Sequence, residues 1–118
     1  MSVPDLKFPR WMFRGAAVYG VMSLVPLYFL PMLPVSPETY YGFIGCALVF
    51  QWLFWIIGGD PAKYRPLMLA AVAEKLVFSV PALLLIFCGR TPAVVALFAV
   101  MDVLLGTGFL IARRITPA

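Results

Sequence analysis

The chain has 118 residues, of which 64% are hydrophobic and 12% charged, and its mean hydropathy is +1.00. Soluble domains carry about 25% charged and about 45–50% apolar residues. A soluble fold of this length could not bury so much apolar surface, so we expect a single domain surrounded by lipid. The net charge of +4 does not indicate nucleic-acid binding, because the basic residues flank apolar stretches and so favour contact with membrane lipids.

Four apolar stretches are each about as long as the roughly 20 residues that a helix needs to cross a hydrocarbon core. They are Trp11–Leu33, Tyr40–Gly58, Pro66–Cys88 and Thr91–Ala112. The connections between them are short and rich in Pro and Gly, which is typical of helix ends and favours antiparallel neighbours. The predicted fold class is therefore all-α: an integral membrane four-helix bundle with up-down-up-down topology.

Prolines shape the predicted ends and bends. The segment Ser2–Arg10 contains Pro4 and Pro9, so we predict that it is irregular and lies at the headgroups. Pro26 and Pro81 lie inside the first and third spans, and each is expected to kink its helix. The first span has no small-residue cleavage site after its long apolar run, so we expect it to be retained rather than removed as a signal peptide.

Basic residues cluster on one side of the predicted bundle, where they are expected to contact lipid headgroups. They are Lys7, Arg10, Lys63, Arg65, Arg113 and Arg114. The opposite side has Arg90, opposed by Glu38. The positive-inside rule then predicts a multi-pass protein of the bacterial inner membrane with both termini in the cytoplasm.

Charged residues inside the spans are the strongest functional signal. Glu74 and Lys75 lie in the third span and Asp102 in the fourth, where charge must face other protein or water rather than lipid. Tyr19 and Gln51 lie at a similar depth, roughly 13–17 Å from the basic ends of their helices. The sequence therefore predicts one buried polar network with a member from every span. Arg14, about 6 Å in, can reach either this network or the headgroups.

Charge balance suggests how this network is paired. Glu74 and Lys75 are about 100° apart around a helix, so we expect each to pair with another helix rather than with the other. Pairing Lys75 with Asp102 and Arg14 with Glu74 would balance the charges. Two outcomes stay open: a closed ion-pair cluster that fixes helix register, or a cavity whose carboxylates act on a ligand or a proton.

Other residue types exclude several chemistries. The chain has no histidine, which removes His-based catalysis and most haem and zinc sites, and we predict no catalytic residue, metal or cofactor. Cys46 and Cys88 are expected to be free thiols, although a disulfide between neighbouring spans is conceivable. Small residues such as Gly15, Gly42 and Gly106 are expected to let helices approach closely.

Four short-looped helices in about 120 residues, with acidic residues in the later helices, resemble the small bacterial DoxX-like membrane proteins. Small multidrug exporters share this size, but they have a membrane-embedded glutamate in the first helix, where this chain has Arg14. We expect a non-enzymatic scaffold or accessory subunit that packs as a homo-oligomer or within a larger membrane complex. The alternative is binding or proton-linked transport of a small lipophilic substrate in an intramembrane cavity.

Overall fold

The computed structural model describes residues 6–29, 37–92 and 94–117. Its helices are α1 (Lys7–Leu24), α2 (Pro37–Gly59), α3 (Leu67–Phe87) and α4 (Val94–Ile115), and a 3-10 helix, Val25–Phe29, continues α1. Within these residues there is no β-strand. Each of the four helices, with α1 taken to Phe29, is long and apolar enough to cross a membrane. The prediction of four apolar helices is thus confirmed.

The start of the first helix corrects the prediction that Ser2–Arg10 is irregular. α1 begins at Lys7 and contains Pro9 in its first turn. Proline is tolerated there because the N–H groups of the first turn have no intrahelical acceptor, so nothing is lost when one is missing. The rest of that segment, up to residue 5, lies outside the described residues.

Pro26 changes the far end of the first span from α-helical to 3-10. The α-helix ends at Leu24, and Pro26 lies in the 3-10 helix that follows. A proline deeper in a helix removes one hydrogen-bond donor and clashes with the preceding turn, which accounts for the change. The predicted end of this span at Leu33 lies outside the described residues. Pro81, in contrast, lies inside α3, which continues to Phe87.

The helices pack most extensively as two pairs, α1 with α2 and α3 with α4, and α1 also packs on α4, whereas α2 and α3 barely touch. Hydrogen bonds near both ends of the first pair join α2 to α1 and to the 3-10 helix that continues α1. Arg10 near the start of α1 donates from Nη1 to the Gly59 carbonyl at the end of α2, over 3.3 Å. Tyr40 near the start of α2 donates its hydroxyl to the Leu27 carbonyl, over 2.8 Å.

The hydrophobic core brings together early residues of α1 and α3 with late residues of α2 and α4. Phe13, Phe54 and Phe109 are fully buried there. The rings of Phe13 and Phe109 stack with centroids 4.3 Å apart, and the Phe54 centroid lies 4.9 Å from that of Phe109. Interlocked aromatic rings fill space densely, so this end of the bundle is closed beneath the polar residues described next.

Candidate functional site

Lys75 is the centre of the buried polar group. Its side chain is 4% exposed, and its Nζ lies 3.4 Å from Asp102 Oδ1 on α4. The stem of Lys75 packs beside Gly106, where an added Cβ would lie 3.3 Å from the Lys75 Cβ. The ammonium also lies 5.2 Å from the centre of the Phe54 ring, a cation–π distance. The predicted pairing of Lys75 with Asp102 is therefore present.

Glu74 differs from the prediction because it lies close to its own sequence neighbour. The Glu74 Oε2 atom is 3.5 Å from Lys75 Nζ. The backbone directions of adjacent helical residues diverge, but a four-carbon lysine side chain is long enough to bend back to a neighbouring carboxylate. This contact is an ion pair without hydrogen-bond geometry, and Oε2 has no hydrogen-bond donor among the described residues.

Arg14 does not join this group, so its predicted pairing with Glu74 is wrong. The Arg14 guanidinium carbon lies 4.3 Å from the centre of the Trp55 ring on α2. Its stem crosses Gly58, where an added Cβ would lie 2.6 Å from Arg14 Cγ. The arginine is drawn to the end of α2 because a guanidinium stacks on an aromatic face and a glycine leaves room for its stem.

Gln51 completes the group from α2. It is 2% exposed, and its Nε2 donates to the Ala47 carbonyl over 2.8 Å. Gly20 on α1 lies directly against its carboxamide, and a Cβ at Gly20 would overlap that group. The Gln51 Oε1 atom is buried and has no donor among the described residues. Close helix approach at a glycine thus positions an amide oxygen that is left unsatisfied.

A cavity of about 330 Å³ connects these residues. Its polar lining consists of Tyr19, Ser23, Tyr40, Gln51, Glu74, Lys75 and Asp102. Its apolar lining includes Leu24, Leu27, Phe43, Phe78, Val95 and Phe98. The predicted network of Tyr19, Gln51, Glu74, Lys75 and Asp102 therefore surrounds one space, to which all four helices contribute. A volume of this size is at the small end of the range typical of ligand pockets, about 300–1,000 Å³.

The apolar lining was missed at the sequence level, although helical spacing carries the signal. Phe78 follows Glu74 by four residues, Phe98 precedes Asp102 by four, and Phe43 precedes Gln51 by eight. Residues three or four apart share a helix face. The direction reverses between helices, so these steps lead from the polar group toward the end away from the aromatic core. Steps of four or eight residues along the helix from Glu74, Asp102 and Gln51 would therefore have identified the apolar lining of the cavity.

The basic residues predicted to contact headgroups lie near the aromatic core, away from the apolar wall of the cavity. Not all of them are exposed. Lys7, Arg10, Lys63 and Arg114 are exposed and Arg113 is half-buried. Arg65, predicted to contact headgroups, instead donates from Nε to the Thr116 and Arg113 carbonyls, over 2.8 and 3.2 Å. The last carbonyls of a helix have no intrahelical donor, so Arg65 closes the end of α4.

Two further expectations concern thiols and glycines. Cys46 and Cys88 are free and exposed. Gly106 packs within the bundle as expected, whereas Cβ atoms added at Gly15 and Gly42 would meet nothing within 4 Å. Within residues 6–29, 37–92 and 94–117, no three His, Cys, Asp or Glu side chains are grouped to hold a metal ion.

No protein-family model, no curated protein and no solved structure matches this chain. The resemblance to the DoxX-like proteins therefore stays a prediction.

Proposed function

We propose that this chain binds a small lipophilic cation in the cavity between its helices, within a membrane. The single observation that carries the proposal is the cavity of about 330 Å³ beside Glu74, Lys75 and Asp102. A tightly closed ion-pair cluster would leave no such space. The geometry therefore favours the ligand-binding alternative over the scaffold that the sequence first favours.

Membrane insertion is part of this proposal and is supported by the shape of the chain. Helices of 21 to 23 residues are about 32–35 Å long, close to the thickness of a hydrocarbon core. Contacts such as Tyr40 with Leu27, and Arg65 with Thr116, favour an up-down-up-down arrangement. The basic residues at one end favour a bacterial inner membrane with both termini in the cytoplasm.

The charges lining the cavity determine the class of ligand. One ammonium, that of Lys75, faces two carboxylates, those of Glu74 and Asp102, so the ionised group carries an excess negative charge. Burial of an uncompensated charge is costly unless a partner neutralises it. A cationic ligand would supply that partner, and an anionic one would increase the imbalance.

The chemistry of the lining refines this class. The side chains of Glu74 and Asp102 line the cavity beside Lys75. A protonated amine can donate hydrogen bonds to such carboxylates. The walls formed by Phe43, Phe78 and Phe98 would surround an apolar or aromatic body attached to that amine.

A route from the lipid to this cavity is also present. A second groove, of about 280 Å³, runs along α3 from Glu74 past Phe78 to Leu85. Glu74 and Phe78 line both spaces. α2 and α3 barely touch, and the Phe43 and Phe78 rings are in contact between them, with centroids 6.3 Å apart. An amphiphile dissolved in a bilayer would enter between these helices when the two rings move apart.

The test uses two probes of nearly equal size and opposite charge, 4-phenylbutylamine and 4-phenylbutyrate. Equilibrium dialysis against the protein in nanodiscs, with empty nanodiscs subtracted, should show saturable binding of the amine alone. Asp102→Asn and Glu74→Gln should each weaken amine binding by about 10- to 100-fold, the value of a charged hydrogen bond. Equal binding of both probes, or no effect of either substitution, would overturn the proposal.

The scaffold interpretation keeps one observation in its favour. Gly15 on α1 and Gly42 on α2 face open space, so the small-residue surface is not used within the chain. Small residues let helices from another subunit approach closely in lipid. If Gly15→Leu and Gly42→Leu dissociate an oligomer in detergent while amine binding fails, the scaffold is the better description.

A further inference from the structure

A third space, separate from the cavity and from the groove along α3, lies on the outside of the bundle between the start of α1 and the end of α2. It has a volume of about 580 Å³, and Arg10, Trp11, Arg14 and Trp55 form most of its polar and aromatic lining. It shares no lining residue with the cavity beside Asp102. From this geometry we propose that it binds an anionic phospholipid, with the phosphate at the two arginines. This proposal rests on the membrane insertion proposed above.

Arg14 is held in place by the end of α2. The Trp55 ring lies under its guanidinium at 4.3 Å, and Gly58 and Gly59 leave room for the side chain across the end of α2. The Arg14 side chain lines the groove beside Arg10. An arginine held in one orientation loses little conformational entropy on binding, and its planar group matches two oxygen atoms of a phosphate.

Arg10 adds a second positive charge to the same groove. Its Nη1 donates to the Gly59 carbonyl over 3.3 Å, which places it one turn from Arg14 beside the end of α2. Among the described residues, Glu74 and Asp102 form ion pairs with Lys75, and neither Arg10 nor Arg14 forms an ion pair with a described carboxylate. Within residues 6–29, 37–92 and 94–117 the two guanidinium groups thus have no paired counter-charge, and a phosphodiester would supply one.

The remaining walls favour a lipid over a free anion. Trp11 is 75% exposed and Trp55 is 45% exposed, although both are large aromatic side chains. Indole rings are enriched at membrane interfaces, where one part is apolar and the N–H is solvated. Below them, Gly15 leaves open space beside the exposed Val18, a path for an acyl chain. Inorganic phosphate would use the arginines and leave these apolar surfaces uncovered.

The experiment measures thermal unfolding in a neutral detergent with three additives: dioleoylphosphatidylglycerol, dioleoylphosphatidylcholine and inorganic phosphate. Phosphatidylglycerol should raise the melting temperature saturably, and the other two should not. Arg14→Gln should require about tenfold more phosphatidylglycerol for half the maximal shift. The matched control is Arg114→Gln, which removes the same charge from an exposed position at the same end and should leave that concentration within about twofold.

Three results would overturn the lipid site: an equal shift with inorganic phosphate, an equal shift with phosphatidylcholine, or an equal loss in the Arg114 control. If Arg14→Gln does not fold in detergent, Arg14→Lys carries the test, because it keeps the charge and loses the planar fork. The cavity proposal is tested separately, since R14Q should bind 4-phenylbutylamine normally and E74Q should keep its response to phosphatidylglycerol. Loss of one response without the other identifies which proposal fails.

Discussion

Replacing Lys75 with methionine perturbs the polar group most strongly. Methionine has nearly the same length, so it fills the space beside Gly106, but it removes the ammonium that lies 3.4 Å from Asp102 and 3.5 Å from Glu74. Two carboxylates would then face one cavity without a cation. Removing one partner of a buried ion pair costs about 3–5 kcal/mol, mostly because a buried charge is left uncompensated.

The assay is reversible unfolding of the protein in bicelles, followed by tryptophan fluorescence. Lys63→Met is the matched control, because it makes the same substitution at an exposed position between α2 and α3. It should change the free energy of unfolding by less than about 0.5 kcal/mol. Adding Glu74→Gln and Asp102→Asn to Lys75→Met should restore most of the loss, because a neutral group replaces the unbalanced one.

Two results would contradict this expectation. One is that Lys75→Met is as stable as the wild type while both carboxylates are retained, and the other is that the triple variant is less stable than Lys75→Met alone. In either case the ammonium would not be compensating the two acids, and the charge argument for a cationic ligand would lose its basis.

Three further predictions concern other contacts. Gly20→Ala should lower the free energy of unfolding by about 1–3 kcal/mol, because the added Cβ overlaps the Gln51 carboxamide. Gly15→Ala has open space around its Cβ, so in the same unfolding assay it should be neutral or slightly stabilising. Arg65→Met should cost about 1.5–3 kcal/mol and should accelerate hydrogen exchange in the last turn of α4, whose carbonyls lose their donor. In intact cells, a variant with a single thiol at Cys88 should react with a membrane-impermeant maleimide, because this residue lies at the end away from the basic residues.

Each of these has a clear contrary result. Equal losses for the two alanine variants would mean that the contact between α1 and α2 is not as close as the structure has it. Unchanged hydrogen exchange at the end of α4 in Arg65→Met would show that hydrogen bonds from water stabilise these carbonyls as well as Arg65 does. A thiol that reacts only after the membrane is permeabilised would reverse the proposed orientation.

Much of the fold follows from the sequence because lipid imposes a simple length rule. The second, third and fourth helices begin and end within three residues of the predicted bounds. The first helix was harder to predict because Pro9 and Pro26 have different effects: one is accepted in a first turn and the other changes the helix type. Position relative to the helix start, rather than the presence of proline, decides between them.

The site was only partly predictable. Depth alone brought Tyr19, Gln51, Glu74 and Asp102 to one level, because each helix rises by a fixed distance per residue. Depth does not give the direction in which a long side chain bends, so the sequence left Arg14 between the network and the headgroups, and its suggested pairing with Glu74 was wrong. The Arg14 side chain packs against Trp55 and two glycines of α2. These residues are about 40 positions away in the sequence, so no local sequence pattern predicts the contact. The cavity itself depends on how closely four helices pack, which is a property of their assembly.

The most direct measurement of the central claim is the location of bound 4-phenylbutylamine by intermolecular nuclear Overhauser contacts in deuterated nanodiscs. If the ligand occupies the cavity, its aromatic protons should contact the methyl groups of Leu27 and Val95, which line that space. Contacts confined to Val49 and Leu104, which are 62% and 59% exposed on the outside of the bundle, would show that the amine merely dissolves in the surrounding lipid and would contradict this proposal.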